Sequence, residues 1–573
     1  MSDHPKQECD LVMKGGTTSG TLYPKAIQQI MKKYRLVNIG GTSAGAIAAA
    51  AAAAAEKGRG QGSEQKLEKL ATELPIRLLS FFQPRKESRF LFEIGLVWLN
   101  NNQSLPRFVY QLIKLWAWQY FKSFSLLAIL VFFSGLAIGT AWRYNTPLYL
   151  WIAIAAVLVT ILYGIVWMAI SIYRSYRLAE GQLSAENEFG ICPGAKQEWA
   201  KEPAFTDWFN ERLHDLAGLN DHQKPLTFGD LNGISGPSAN RINLVVLSTS
   251  LTDGSMVKIP FETKDIYLFR EEDWEGKIPA DVLSWMIKIS KPVSLPNSEN
   301  GELKYYCLPE TEDLPVILAV RMSMSFPLLF TTTKLYKMRD QFNPPQEVIF
   351  TDGGVTSNFP IHFFDNIWPN RPTFGITLDR TDSKDSKSLV PKFGIEINEA
   401  CSPRRLHKLR DFVSALLSTM QDWTDNQQSN LLSARQRIVH IPLRQEEGGL
   451  NLTMPPERIK ALIERGRQAG EKFREFDEDR HRWTRFVSSM ISFAEAQTAM
   501  QEVWNADRLN ADLSLQKFVT EYLQNGIKAG QSAEWQKIAI QFAEYIVSEN
   551  GPAVHVEPQP EHEVAIRIVS NGE

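Results

Sequence analysis

Cysteine is scarce in this chain: four among 573 residues, at positions 9, 192, 307 and 401, with no C-x-x-C pair. That spacing argues against a zinc knuckle and points to a reducing compartment. Excess charge of either sign is missing too. With 62 Lys and Arg against 65 Asp and Glu the balance is −3, so no global basic field points to nucleic acid. The opening stretch MSDHPKQECDLVMKGG lacks the basic-then-apolar pattern of a secretory leader, which is the expectation for a cytosolic start. Phosphate-loop signatures are also missing. Gly15–Gly20 (GGTTSG) has no G-K-[ST] ending and is not G-x-G-x-x-G, so nucleotide binding is not expected. No internal repeat is found.

The most informative absence is of charge in the middle. Ser123–Trp142 is 20 residues without a charge and Tyr144–Tyr173 is 30 more, with only Arg143 between them. About 20 apolar residues at ~1.5 Å rise span a ~30 Å hydrocarbon core. Arg107, Lys114 and Lys122 flank one side, Arg174 and Arg177 the other. By the positive-inside rule both flanks are cytoplasmic, and a short turn near Arg143–Pro147 lies outside. The expectation is a two-helix transmembrane hairpin in the inner membrane. Before it, LPRFVYQLIKLWAWQYFK sets Arg107, Gln111, Lys114, Trp118 and Lys122 on one helical face, as an interfacial helix or an extension of the first span would. The tryptophans at 116, 118, 142, 151 and 167 fit a bilayer interface or its helices.

On either side of the hairpin the pattern is mixed α/β. Asp10–Met13 and Leu36–Ile39 read as strands, Tyr23–Lys33 as a helix, and the alanine run at 48–55 as a second helix. Residues 56–104 read as helical. Further strands are expected at Ile242–Ser250, Val257–Phe261, Asp265–Phe269, Glu347–Phe350 and Phe374–Leu378. Helices are expected at Pro203–Ala217, Leu314–Ser323, Arg404–Leu432, Pro455–Phe476 and through 482–549. The hairpin is therefore an insertion in a discontinuous α/β domain. The expected divisions are 1–104, 105–177 (interfacial helix and hairpin), 178–480, a helical C-terminal region at 481–550 and a tail at 551–573.

The stretch LVNIGGTSAGA carries G-x-S-x-G, with Ser43 between Gly41 and Gly45, a strand before it and an alanine-rich helix after it. A serine hydroxyl attacks well only when a base takes its proton and a sharp turn presents it, and small neighbours allow that turn. An α/β-hydrolase order of Ser, acid and His fits poorly, because only two strands precede Ser43 and His362 reads as structural. The better partner is an acid. VIFTDGGVTSNFP runs an apolar strand into Asp352-Gly353-Gly354, placing a carboxylate at a strand end beside two small residues. Asp379 and Asp382 read as turn residues. Gly15-Gly16-Thr17, between the first strand and a helix, could aim backbone amides at developing negative charge.

A glycine loop at the start, G-x-S-x-G on the second strand and D-G-G late in the chain together resemble the patatin-like phospholipases. INLVVLSTSLTDG (Ile242–Gly254), LPVILAVRMSMSFP (Leu314–Pro327) and GGLNLTMPPERIKALIERG (Gly448–Gly466) are similar to bacterial members. The likeness covers 9–55 and about 200–475. It implies an α/β sheet flanked by helices, Ser43 as nucleophile, Asp352 as its base and Gly15, Gly16 and Thr17 as an oxyanion hole. It further implies no catalytic histidine and no need of a metal or cofactor. Two positions depart from the family pattern: Thr17 replaces a glycine and Ser19 an arginine. The implied activity is cleavage of membrane phospholipid or lysophospholipid esters at the inner leaflet through an acyl-enzyme. The alternative is a weakly active or inactive patatin-fold membrane protein that binds lipid or a partner.

Overall fold

A computed structural model describes residues 5, 7–16, 19–99, 114, 121–144, 147–184, 188–219, 224–233, 241–262, 265–293, 304–338, 344–365, 368–381, 389–394, 419, 432–444, 447 and 454–505. The expected interfacial segment at 105–122, most of the expected helix Arg404–Leu432 and everything after Asn505 lie outside these residues, apart from a few positions. The C-terminal tail at 551–573 lies wholly outside them.

Strands β1 (Gln7–Met13) and β2 (Tyr34–Thr42) precede the apolar hairpin in sequence. After it come β3 (Gly190–Cys192), β4 (Asn243–Ser250), β5 (Ser255–Ile259), β6 (Ile266–Phe269), β7 (Pro292–Val293) and β8 (Tyr305–Cys307). They are followed by β9 (Leu328–Phe330), β10 (Thr333–Met338), β11 (Gln346–Asp352), β12 (Thr373–Thr381), β13 (Lys392–Phe393) and β14 (Ile438–Arg444). Twelve form one sheet in the order β13-β14-β12-β1-β2-β4-β11-β10-β6-β8-β7, with β5 on β4; β3 pairs with β9 separately. β14, β12, β1, β2 and β4 run parallel. Beyond β4 the sheet turns antiparallel. Strands from before and after the hairpin thus interleave, which is why neither flank can complete the sheet alone.

Helix α1 (Tyr23–Met31) links β1 to β2, and α2 (Ala44–Lys57) follows β2 directly. Every alanine from 48 to 55 is buried. A helix apolar all round must be enclosed, and methyl-sized side chains let the sheet and α3 (Ser63–Arg77) crowd against it. Its last turn is anchored by buried Glu56, which accepts the Leu36 amide at 3.2 Å and pairs with Arg59 at 2.7 Å. An 11-residue helix, α4 (Arg89–Leu99), precedes the apolar pair α5 (Phe121–Tyr144) and α6 (Pro147–Gln182).

Helices α5 and α6 pack on each other, and the Ser134 and Thr160 hydroxyls meet between them at 2.6 Å. Hydroxyl contacts of this kind join helices where water is absent. The stretch Leu150–Arg177 of α6 is long and apolar enough to cross a membrane, while the apolar part of α5, Ala128–Arg143, is shorter. One such helix, not two, meets the length criterion among the described residues. The second crossing is taken up below as a proposal.

Downstream helices close the fold: α7 (Phe205–Ala217) against α2, α8 (Val316–Ser323) under the sheet, α9 (Pro456–Arg474) against α1 and α10 (Glu478–Asn505) at the end. Two expectations are corrected. The pattern reading marks no strand at 438–444, yet β14 pairs with β12 over seven positions. Asp379 is not a turn residue: it lies within β12, buried, bonded to His440 Nδ1 at 2.6 Å. The strand continues past the apolar stretch that marked its end, because a buried histidine on the neighbouring strand satisfies the carboxylate.

Candidate active site

Ser43 stands at the junction of β2 and α2 with φ 53° and ψ −125°. A non-glycine residue there is strained, and such strain is what lifts a nucleophile out of a strand-to-helix turn. The glycines around it are required by close approach. A Cβ on Gly41 would strike the Gly45 carbonyl, and a Cβ on Gly45 would strike the Met13 carbonyl at the end of β1. The elbow is therefore pressed between its own helix and the neighbouring strand. Only 9% of Ser43 is exposed, and its amide donates to Ser323 Oγ at 2.9 Å.

Asp352 reaches the same place from across the sheet. Thr42 pairs with Leu247 on β4, and the next residue of β4, Ser248, pairs with Asp352 on β11. The serine and the carboxylate therefore leave their strands at one height on either side of β4. Asp352 is held by its backbone: its amide donates to the Ser325 carbonyl at 3.0 Å, and its own carbonyl accepts from Thr249 Oγ1 at 2.9 Å. One side-chain oxygen, Oδ1, accepts the Gly354 amide at 2.8 Å. The other, Oδ2, is buried with no partner at ordinary hydrogen-bond geometry. Burial pushes the Asp352 carboxyl up to about 7, and hydrogen bonding from the Ser43 hydroxyl, then from Gly354, draws it back from a higher value. Contacts between a nucleophile and its base are often slack until substrate binds. Gly353 fits against the Leu247 carbonyl, where a Cβ would collide.

The glycine loop lies on the other side of Ser43. Gly15 sits against Thr42 and Ser43, and a Cβ there would strike Asn358 Oδ1. Its amide donates to the Asn358 carbonyl at 3.0 Å. Of the three amides expected to line an oxyanion hole, that of Gly15 is thus committed elsewhere. The Gly16 carbonyl accepts the Gly20 amide at 3.1 Å, and Thr17 lies outside the described residues. Tyr23 braces the loop, its hydroxyl donating to the Lys14 carbonyl at 2.5 Å. Ser43 occupies the N-cap position of α2 without a side-chain cap, and the first amides of the helix have no carbonyl four residues back within it to accept them. That end of a 14-residue helix favours negative charge.

A narrow pocket of about 60 Å³ opens beside Ser43, lined mainly by Ile47, Leu78, Phe81, Phe205, Leu329 and Phe330. Its walls are mainly apolar, suiting an acyl chain, with Ser43 and Thr21 as the polar groups in its lining. Among the described residues no group of three or more His, Cys, Asp or Glu is placed to hold a metal.

Pattern reasoning missed the support beneath the pair. Ser323 and Ser325 lie in the stretch LPVILAVRMSMSFP, whose signal was two serines after an apolar helix. Below them Arg321 is fully buried and donates to Ser325 Oγ at 2.8 Å, to the Pro193 carbonyl and to the Thr331 carbonyl. A guanidinium without exposure is tolerable only with such partners. His362, read as structural, sits in a 3-10 turn at Ile361–Phe364 with its ring edge-on to Phe363.

The sheet turns from parallel to antiparallel beside an elbow that carries a strained serine, which places the chain in the α/β class of folds. A family model described as patatin-like phospholipase matches residues 275–365, which include Asp352. Over 574 aligned residues the chain is 32% identical to the "RpoH suppressor" of Rhizobium meliloti (strain 1021), covering 85% of each. The chain belongs to the patatin-like phospholipase family. Among solved structures, ExoU of the Pseudomonas aeruginosa type III secretion system, in complex with SpcU, matches at 13% identity and a TM-score of 0.26. That match covers 95% of this chain and 69% of that one. Family membership supports lipid acyl hydrolysis as the class of chemistry.

Proposed function

We propose that this protein is a membrane-anchored serine acyl hydrolase that cleaves phospholipid or lysophospholipid esters through a Ser43–Asp352 dyad. The observation that carries the reading is a strained, nearly buried serine beside a carboxyl raised to about 7. A carboxylate of ordinary pKa, about 3.9, is a weak base at neutral pH, and one near 7 is matched to proton transfer.

Asp352 takes the Ser43 proton as Oγ attacks the ester carbonyl carbon. The carbonyl oxygen becomes an oxyanion facing the α2 N-terminus and the loop at Gly15–Gly20. The tetrahedral intermediate collapses, the C–O bond to the alcohol breaks, and protonated Asp352 returns the proton to that alcohol. The acyl group remains on Ser43. Water then attacks the acyl-enzyme, Asp352 takes its proton, and collapse releases the fatty acid as the proton returns to Ser43 Oγ.

Helices α5 and α6 form the anchor in this reading, both crossing the inner membrane and leaving the α/β body on the cytoplasmic side. Leu158, Leu162 and Ile165 of α6 are more than half exposed, as lipid-facing residues are. The deciding experiment is lipid product analysis of liposomes incubated with wild type, Ser43→Ala and Asp352→Ala. Free fatty acid from wild type alone is expected, and identical profiles from all three would end the hydrolase reading. Thr17 and Ser19 in the altered glycine loop favour a second reading, a weakly active lipid- or partner-binding module. A fluorophosphonate that labels wild type but not Ser43→Ala decides against it.

A further inference from the structure

On the segments that line the Ser43 pocket, or paired with them, the fold leaves apolar side chains uncovered. Ile76 is 86% exposed, Leu79 42%, Phe189 39% and Leu328 59%. They belong to the segments that build the pocket wall. Leu79 lies between Leu78 and Phe81, and Leu328 precedes Leu329 and Phe330. Phe189 adjoins Gly190, which pairs with Leu328. The segments touch: the Phe82 and Phe330 rings are 5.4 Å apart, and the Arg85 amide donates to the Ile191 carbonyl at 3.2 Å.

Two of the four sit at unfavourable backbone angles. Phe189 has φ 54° and Leu328 φ 67°, where glycine or asparagine is at ease and bulky side chains are not. An apolar side chain that is both strained and exposed gains nothing from the folded chain itself.

The same face carries the base of the helical hairpin. Helix α6 touches the turn Lys86–Ser88, next to Arg85, which pairs with Glu188 at 3.6 Å. From Arg177 to the end of α6 at Gln182 is about 8 Å of helix. Lys86, Arg89, Arg174 and Arg177 are exposed around this base. Arg177 pairs with Glu180, Arg89 with Glu93, and Glu87 is exposed beside them, leaving a slight basic excess that suits an anionic leaflet.

We propose that Leu79, Phe189 and Leu328, with Ile76 beside them, seat in the head-group boundary of an anionic bilayer, so that the Ser43 pocket opens directly onto the leaflet. The occupant is the membrane already reached by the hairpin. The use of the pocket for esters rests on the hydrolase reading, whereas the docking does not.

The test uses the full chain in vesicles of phosphatidylglycerol and phosphatidylethanolamine. An environment-sensitive fluorophore is placed on cysteine at 79, 189 or 328, with Cys307→Ser and Cys401→Ser removing two native thiols while Cys9 and Cys192 stay buried. Nitroxide lipids should quench all three, and should spare a probe at Ile266, an exposed apolar residue on β6 beyond the centre of the sheet. Rim probes that behave like Ile266 while a hairpin probe at Leu158 is quenched would overturn the proposal. A second arm pairs Leu79→Glu with Leu328→Asn. Vesicle hydrolysis should fall about ten-fold while fluorophosphonate labelling of Ser43 stays within about two-fold. Equal loss of both would assign these residues to the fold instead. Quenched rim probes on a protein that neither labels nor hydrolyses would leave the docking standing and remove the hydrolase reading.

Discussion

The Ser43 amide donates to Ser323 Oγ at 2.9 Å, so the strained elbow is held from α8 and not from its own strand. Two residues later the Ser325 carbonyl accepts the Asp352 amide at 3.0 Å and the Thr351 hydroxyl at 2.8 Å. One three-residue segment therefore sets the position of both residues of the proposed dyad. Arg321 fixes that segment from below.

Ser323→Ala leaves a buried amide without an acceptor, a loss of about 1–3 kcal/mol. Thermal unfolding should begin at lower temperature, and kcat should fall more than KM rises. Ser323→Thr keeps the hydroxyl and should restore kcat. Equal behaviour of the alanine and threonine variants would show that the hydrogen bond does not position Ser43.

The pH profile follows from the Asp352 carboxyl, pushed up to about 7. A base acts only when deprotonated. Below pH 7 kcat/KM should therefore drop about ten-fold per unit, and above it the profile should level. Initial rates between pH 5 and pH 9 on a soluble ester check this. Asp352→Asn should lose about 10³-fold or more and show no such limb. A wild-type profile flat through pH 6–8 would remove Asp352 as the base.

Gly45→Ala drives a methyl group into the Met13 carbonyl. Overpacking of backbone on backbone costs about 1–3 kcal/mol or more, so soluble yield and melting temperature should both fall. Gly60→Ala makes a useful contrast. Its φ of +81° carries strain, but no atom stands near its Cβ, so its cost should stay near 1 kcal/mol.

Ile47 faces the pocket from α2, just past Ser43. Ile47→Phe should narrow a cavity of about 60 Å³. Turnover of long-chain esters should drop about ten-fold while a short-chain ester is little changed. Rates measured across an acyl-length series decide it, and a uniform loss at every length would show that the pocket does not seat the acyl chain.

Much of this arrangement was legible from local pattern. The alternation and turn chemistry around Ser43 and Asp352 marked two strand ends, and β2 and β11 do end at those residues or beside them. Short strands were harder to read. Strand β14 is buried at six of its seven positions, so its burial gave no alternation to detect. Asp379 read as a turn residue because its partner, His440, lies 61 positions away. Asn358 and Arg321 carry no local signal of their roles, and the paired serines after the apolar helix at 314–323 mark a place but not the partner, since Ser323 acts on Ser43, 280 positions away.

The sequence by itself determined the discontinuity of the α/β body, the uncharged hairpin, the glycine-flanked serine and the late D-G-G. These depend on spacing and local backbone chemistry, which travel with the chain. Tertiary structure decided how Ser43 and Asp352 meet. The register of β4 between β2 and β11 brings together residues 309 positions apart, and enclosure of that meeting point removes the water that would keep an aspartate acidic. It also decided that the Gly15 amide belongs to Asn358, because hydrogen-bond partners are settled only when every neighbouring strand is in place.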